Sequence, residues 1–317
     1  MNIKRLFDKN YKLLIYVVLS ILFIILIISS LNTYYRTQEK EKENNFQGDT
    51  QKVPVEGNNV TLDNIQNSEN NETTTVKDTM KLFVNYCNNR EISKAYAMLT
   101  EDCKKALYYT TEELFEKYYI DIRFDEQQEY SMVKWSSQNN RELYLVKFYG
   151  NILATGGESG ISQEYYTFIK EDGSYKININ NFIYSQDKNI EYKKDNITVQ
   201  IMHVDVFADY ENVKYNIINN SKNTISMTGK PYSQNVYLKN SQGVVYSSIN
   251  SKFDTKEVII KAGENDYGVI KFNKVYSITN IATKIIFDNV ILNYEEYQKV
   301  EDKNKYPNKT SIEIKYN

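Results

Sequence analysis

Residues Leu13 to Leu31 (LLIYVVLSILFIILIISSL) form one uninterrupted apolar run without a charged side chain, and no other stretch limits the chain so tightly. At about 1.5 Å of rise per residue, a helix of this length covers a hydrocarbon core of about 30 Å. The expected form is a single transmembrane helix.

Its flanks set orientation and fate. Lys4, Arg5, Lys9 and Lys12 precede the run against one acid, Asp8, which is the layout of the basic region of a secretory signal. Arg36, Lys40 and Lys42 follow it closely, so positive charge alone decides little. The signal-like layout and the long polar carboxyl part place residues 1–12 in the cytoplasm and everything after the span outside. Ile28 to Thr33 offer no small-residue cleavage site, and the first cysteine is Cys87, too distant to accept a lipid. Residues 13–35 are therefore expected to be a permanent signal anchor, with Tyr34 and Tyr35 at the outer interface. The predicted location is the cell membrane, single-pass, with the carboxyl-terminal domains extracellular.

Residues 36–74 are mostly Asn, Gln, Glu, Thr and Lys with few apolar side chains. Such a segment buries too little surface to offset ordering, and a tether of this length spans about 30–40 Å end to end. Past it, the chain has room for two domains of ordinary size. The formal net charge of -2 and the absence of a basic stripe argue against nucleic acid as a partner. The 29 Tyr fit a recognition surface, but codon bias is the better explanation and weakens arguments from abundance.

The first domain is expected over 75–186. Val76, Met80, Phe83, Val84 and Cys87 keep helical spacing, and Thr75 with Asp78 reads as a capping box. Ile92, Ala95, Tyr96 and Leu99 repeat that spacing; further helices are expected near Thr100 and near Thr110, where Thr110 and Glu113 form a second box. Strand patterns follow at Glu129–Ser136, Glu142–Tyr149, Gln163–Lys170 and Ser174–Phe182. Helices followed by an antiparallel sheet make an α+β domain. The stretch FVNYCNNREISKAYAMLTEDCKKALYYTTEELFEKYY, with these four strands, resembles the nuclear-transport-factor-2-like superfamily, particularly extracytoplasmic versions beside membrane anchors in Gram-positive bacteria. The resemblance implies helices wrapped on a curved, cone-like sheet with a pocket inside. Its enzymes place His or Tyr with Asp in that cone, and this domain has no His.

Within this domain Asp121, Asp125 and Glu126 are the acidic cluster to weigh for acid and base work, against a plain solvated loop. Trp135 and Tyr144 are candidate pocket-lining residues, against simple core packing. Gly156, Gly157 and Gly160 lack the strand-to-helix setting of a phosphate loop and read as a hairpin turn. Cys87 and Cys103 both lie on apolar helix phases; they are either two buried thiols or a disulfide worth about 3 kcal/mol. No metal set is expected, because two Cys and one distant His cannot supply four ligands.

The second domain is expected over 190–317 as an all-β sandwich. Alternation recurs around Val199, Tyr215, Val236, Ile260, Ile270, Phe287 and Ile312, with turn signals between. The phrases VKYNIINNSKNTI, VYLKNSQGVVYSS and IIKAGENDYGVIKF resemble extracytoplasmic immunoglobulin-like domains of Gram-positive bacteria, which implies an adhesive or architectural module and transfers no site residue. His203 reads as a strand residue. No catalytic constellation and no cofactor is expected. The expected role is a tethered binding or scaffold protein whose partners are envelope proteins or cell-wall polymer. The alternatives are a self-associating component of a conjugation or secretion channel, or a small-ligand carrier or enzyme using the cone.

Overall fold

Thr75 opens the first helix of a computed structural model that describes residues 75–150, 162–229 and 234–316. Its hydroxyl accepts the Asp78 backbone N–H at 3.1 Å and donates to the Asp78 carboxylate at 2.6 Å, satisfying an otherwise orphaned donor. Helix α1 (Val76–Asn88) then buries Met80, Phe83, Val84 and Cys87 at the expected spacing. Helices α2 (Ile92–Ala97) and α3 (Glu101–Ala106) follow, the latter capped by Thr100, which accepts from Cys103 N at 3.0 Å. The next cap is Thr111 rather than Thr110: its hydroxyl accepts from Leu114 N at 3.3 Å and starts α4 (Glu112–Phe115). A π turn, Glu116–Ile120, continues α4 into α5 (Asp121–Arg123).

The four expected strands are present as β1 (Gln128–Gln138), β2 (Arg141–Gly150), β3 (Ser162–Glu171) and β4 (Ser174–Asn178), antiparallel in that order. β4 stops short of Phe182 because Asn180 and Asn181 turn the chain with φ of 52° and 61°, a left-handed backbone that Asn tolerates better than most residues. The chain then enters β5 (Phe182–Lys194), so the expected boundary near 186–190 falls inside a strand.

After β5 come β6 (Ile197–Phe207), β7 (Glu211–Asn219), β8 (Ile225–Ser226), β9 (Val236–Asn240), β10 (Val245–Ser247), β11 (Ile259–Ile260), β12 (Asn265–Phe272), β13 (Ala282–Ile291) and β14 (Lys309–Lys315). One sheet has the order β12-β7-β6-β5; the other runs β10-β9-β13-β8-β11, with β14 beside β13. Their inward faces share one core that includes Tyr215, Phe253, Phe272 and Phe287. Strand was the expectation throughout this part, yet it also holds short helices α6 (Lys252–Thr255) and α7 (Tyr294–Lys299). Asn293 caps α7 by accepting Glu296 N at 3.1 Å, so the polar stretch between β13 and β14 contains a capped helix.

A second core lies between the helices and β1–β4; Phe182 and Phe207 belong to it although their strands belong to the next sheet. No helix among the described residues is long and apolar enough to cross a membrane. The Leu13–Leu31 run, the 36–74 stalk and the Gly156–Gly160 turn lie outside the described residues.

Candidate functional site

Along β3 the side chains of Glu164, Tyr166 and Phe168 share one face, and that face meets the helices. Glu164 is 3% exposed and the two aromatics 0%, which puts a carboxyl inside an aromatic core. From the helical side the π turn delivers Tyr119 and Ile120 to the core as consecutive buried residues. Tyr119 donates its hydroxyl to Glu164 Oε1 at 2.7 Å, and its oxygen also meets the Tyr166 hydroxyl. Arg123 Nε lies 3.5 Å from the same Oε1. Both Arg123 Nε and Glu164 Oε2 are buried without a hydrogen-bond partner.

Burial pushes the Glu164 carboxyl above the ordinary glutamate range; Arg123, Tyr119, Tyr166 and the Asn180 backbone amide oppose it. The Tyr119 and Tyr166 phenols are pushed well up, first by burial and then by the Glu164 charge. Aromatic rings wall the cluster. Phe115 stacks on Tyr119 at 5.6 Å, and Phe83 and Phe148 flank Tyr166 at 6.1 and 6.0 Å. The arrangement can hold and share a proton among three oxygens.

The residues expected to line a pocket do other work. Trp135 packs on Tyr165 at 5.0 Å and on Tyr276 at 6.1 Å, against the core shared by the two outer sheets. Tyr144 sets its ring edge-on to Phe168 at 5.5 Å and donates to Glu142 Oε2 at 3.1 Å. Asp121 pairs with Arg90 at 2.5 Å on the surface, and Asp125 accepts the N–H of Glu126 at 3.0 Å. The acidic trio is thus not gathered into one site. His203 is a strand residue whose Nδ1 and Nε2 meet Asp187 at 2.6 Å and Asp205 at 2.9 Å, beside bulges in both β5 and β6.

Cys87 and Cys103 are free thiols, both 0% exposed, in place of the disulfide left open by the sequence. Burial raises Cys87 well up and Cys103 to about 12, which leaves almost no reactive thiolate. Iodoacetamide is therefore expected to leave both unmodified in the native protein and to label both in denaturant. Mass spectrometry showing labelling without denaturant contradicts this placement.

Two cavities lie away from the Glu164 cluster and touch neither Trp135 nor Tyr144. A groove of about 580 Å³ opens at the β5–β6 turn, beside Glu191, Lys194, Asn196 and Asn220. Three of its charged side chains are engaged: Glu191 accepts from Lys193 at 2.8 Å, and Lys194 donates to the Ser311 carbonyl at 2.7 Å. A cavity of about 30 Å³ adjoins Tyr184, Glu211, Lys274 and Tyr316, room for about one water. No group of three or more His, Cys, Asp or Glu placed to hold a metal occurs among the described residues.

Glu164 was missed in the sequence, although its phase gives it away. In the run SQEYYTFIKE it falls in step with Tyr166 and Phe168, a charge on the side of a strand that carries the large aromatics.

No protein-family model matches the chain, and no curated protein does. Among solved structures, the yjhA protein from Bacillus subtilis aligns with a TM-score of 0.30 at 12% identity, over 42% of this chain and 99% of its own. The secreted protein MPT63 from Mycobacterium tuberculosis aligns with a TM-score of 0.24 at 11% identity, over 33% of this chain and 88% of its own.

Proposed function

We propose that this chain is a single-pass, membrane-anchored extracytoplasmic binding or scaffold protein of the cell envelope, without chemistry of its own. In this reading residues 75–186 are a nuclear-transport-factor-2-like domain and 190–317 an immunoglobulin-like sandwich. The observation that carries it is the filled interior of the helix-and-sheet part. Phe83, Phe115, Tyr119, Phe148, Tyr166 and Phe168 are each at most 2% exposed, so the space a substrate would need holds side chains instead. The outer surface has contact residues to spare: Tyr267 and Val269 on the edge strand β12 are 76% and 48% exposed. Envelope proteins or cell-wall polymer are the proposed partners.

Protease shaving of intact protoplasts tests the topology. The carboxyl part is expected to be digested while a fragment holding the span stays with the membrane; full protection of the carboxyl part overturns the reading. Crosslinking of whole cells tests the role. Adducts with other envelope components support it, whereas a ladder of homo-oligomers moves the assignment to a channel-assembly component.

A further inference from the structure

A carboxyl buried among aromatic rings costs free energy when ionised, unless it is fully paired. Glu164 is unevenly paired: Oε1 takes Tyr119 at 2.7 Å and faces Arg123 at 3.5 Å, Tyr166 and the Asn180 backbone amide also favour the carboxylate, and Oε2 is buried without a hydrogen bond. A neutral side chain at this position of β3 would avoid that cost. The segment that meets it is irregular, held to the core by Tyr119 and Ile120. Glu116–Ile120 is a π turn, a rare form concentrated at functional sites, and α5 is three residues long. Tyr118 and Ile122, 52% and 70% exposed, turn the outer face of this segment to solvent. The Arg123 side chain is itself 23% exposed, so water is near.

We propose that Glu164 is a proton-controlled latch: protonated, it keeps Glu116–Arg123 docked on β3, and ionised, it lets that segment lift and hydrate the carboxylate. The proton leaves to solvent and no bond other than O–H changes. The titratable and charged groups facing Glu164 are Tyr119 from the π turn, Arg123 from α5, Tyr166 from β3, Cys87 from α1, Cys103 from α3 and Tyr109 from the α3–α4 loop. Arg123 is the one cation in that set. Burial outweighs it, since the carboxyl is raised above its ordinary value in the docked state. The lifted state holds an ordinary, hydrated glutamate, so docking is strongest below the ordinary glutamate value and is lost as pH rises toward the raised one.

Hydrogen exchange of the full-length chain in detergent micelles, followed by mass spectrometry from pH 4 to 8 and corrected for intrinsic rates, tests the latch. Opening of 116–123 is expected to increase with pH by up to about tenfold per unit above the ordinary glutamate value and then to level off, as one linked proton requires. The α1 amides should not follow, and their protection reports that each variant is folded. Glu164→Gln is expected to stay protected with a flat profile. Arg123→Met is expected to carry the rising limb to higher pH, because the cation favouring the carboxylate is gone. A flat wild-type profile, the same rise in Glu164→Gln, or an unmoved plateau in Arg123→Met each overturns the latch.

Discussion

Glu211→Ala is expected to lower the free energy of unfolding by about 3–5 kcal/mol, because it strands a buried lysine. Glu211 and Lys274 lie 2.7 Å apart with side chains only 7% and 3% exposed. The Tyr316 hydroxyl donates to the other carboxylate oxygen at 3.3 Å, and Lys274 sits 5.6 Å from the centre of the Tyr246 ring. Glu211 opens β7 and Lys274 follows β12, neighbouring strands of one sheet, and Tyr316, which follows β14, ties the pair to the other sheet. Removing the acid leaves a buried ammonium without its counter-charge, and the adjoining cavity has room for only about one water. Replacing both partners, as Glu211→Leu with Lys274→Met, should recover most of the loss, since two apolar groups need no pairing. Urea unfolding read by the fluorescence of the single tryptophan, Trp135, measures both variants. A single-variant loss under about 1 kcal/mol would mean that water shares the pair. The wild-type contribution should also resist added salt, unlike that of exposed pairs such as Lys261 with Glu264.

The local rules of the chain were legible where a side chain and its own backbone decide the outcome. Thr75 caps α1 as its spacing with Asp78 implies; the first three strands of the first sheet lie where alternation puts them, and the fourth starts there but ends at Asn178. Thr110 and Thr111 are adjacent hydroxyls, and only the geometry of the incoming loop selects the second. The turn at Asn180 and Asn181 was hidden because Ile177 and Ile179 alternate straight into it, both fully buried. The candidate site was less legible. Arg123 and Glu164 are 41 positions apart on the chain, and the π turn that brings Tyr119 to Glu164 has no pattern of its own in the sequence. Likewise, Tyr144 was weighed for a pocket because aromatic alternation cannot separate a ring that lines a space from one that fills it.

Phe182→Ala should cost about 3–5 kcal/mol, and its effect should reach both sides of the molecule. Phe182 is fully buried and meets Phe207 edge-to-face at 5.4 Å, within the core under the helices. Its backbone, however, begins β5, which pairs with β6 in the next sheet, and Ala208 N donates to the Asn181 carbonyl at 2.8 Å beside it. No linker separates the two cores at this point: the residue that ends one packing unit starts the ladder of the other. A cavity here therefore loosens the helix-side core and the first turn of β5 together. Trp135 fluorescence, which reports the contact with Tyr276, and far-UV circular dichroism should shift to lower urea by the same amount in the variant. In the wild type both probes should trace one transition. Two separated transitions, with only one moved by Phe182→Ala, would show that the cores unfold independently despite the shared strand. Coupled unfolding would instead make the β4–β5 turn a rigid joint, so that a load on the outer sheets is passed to the helices without a hinge between.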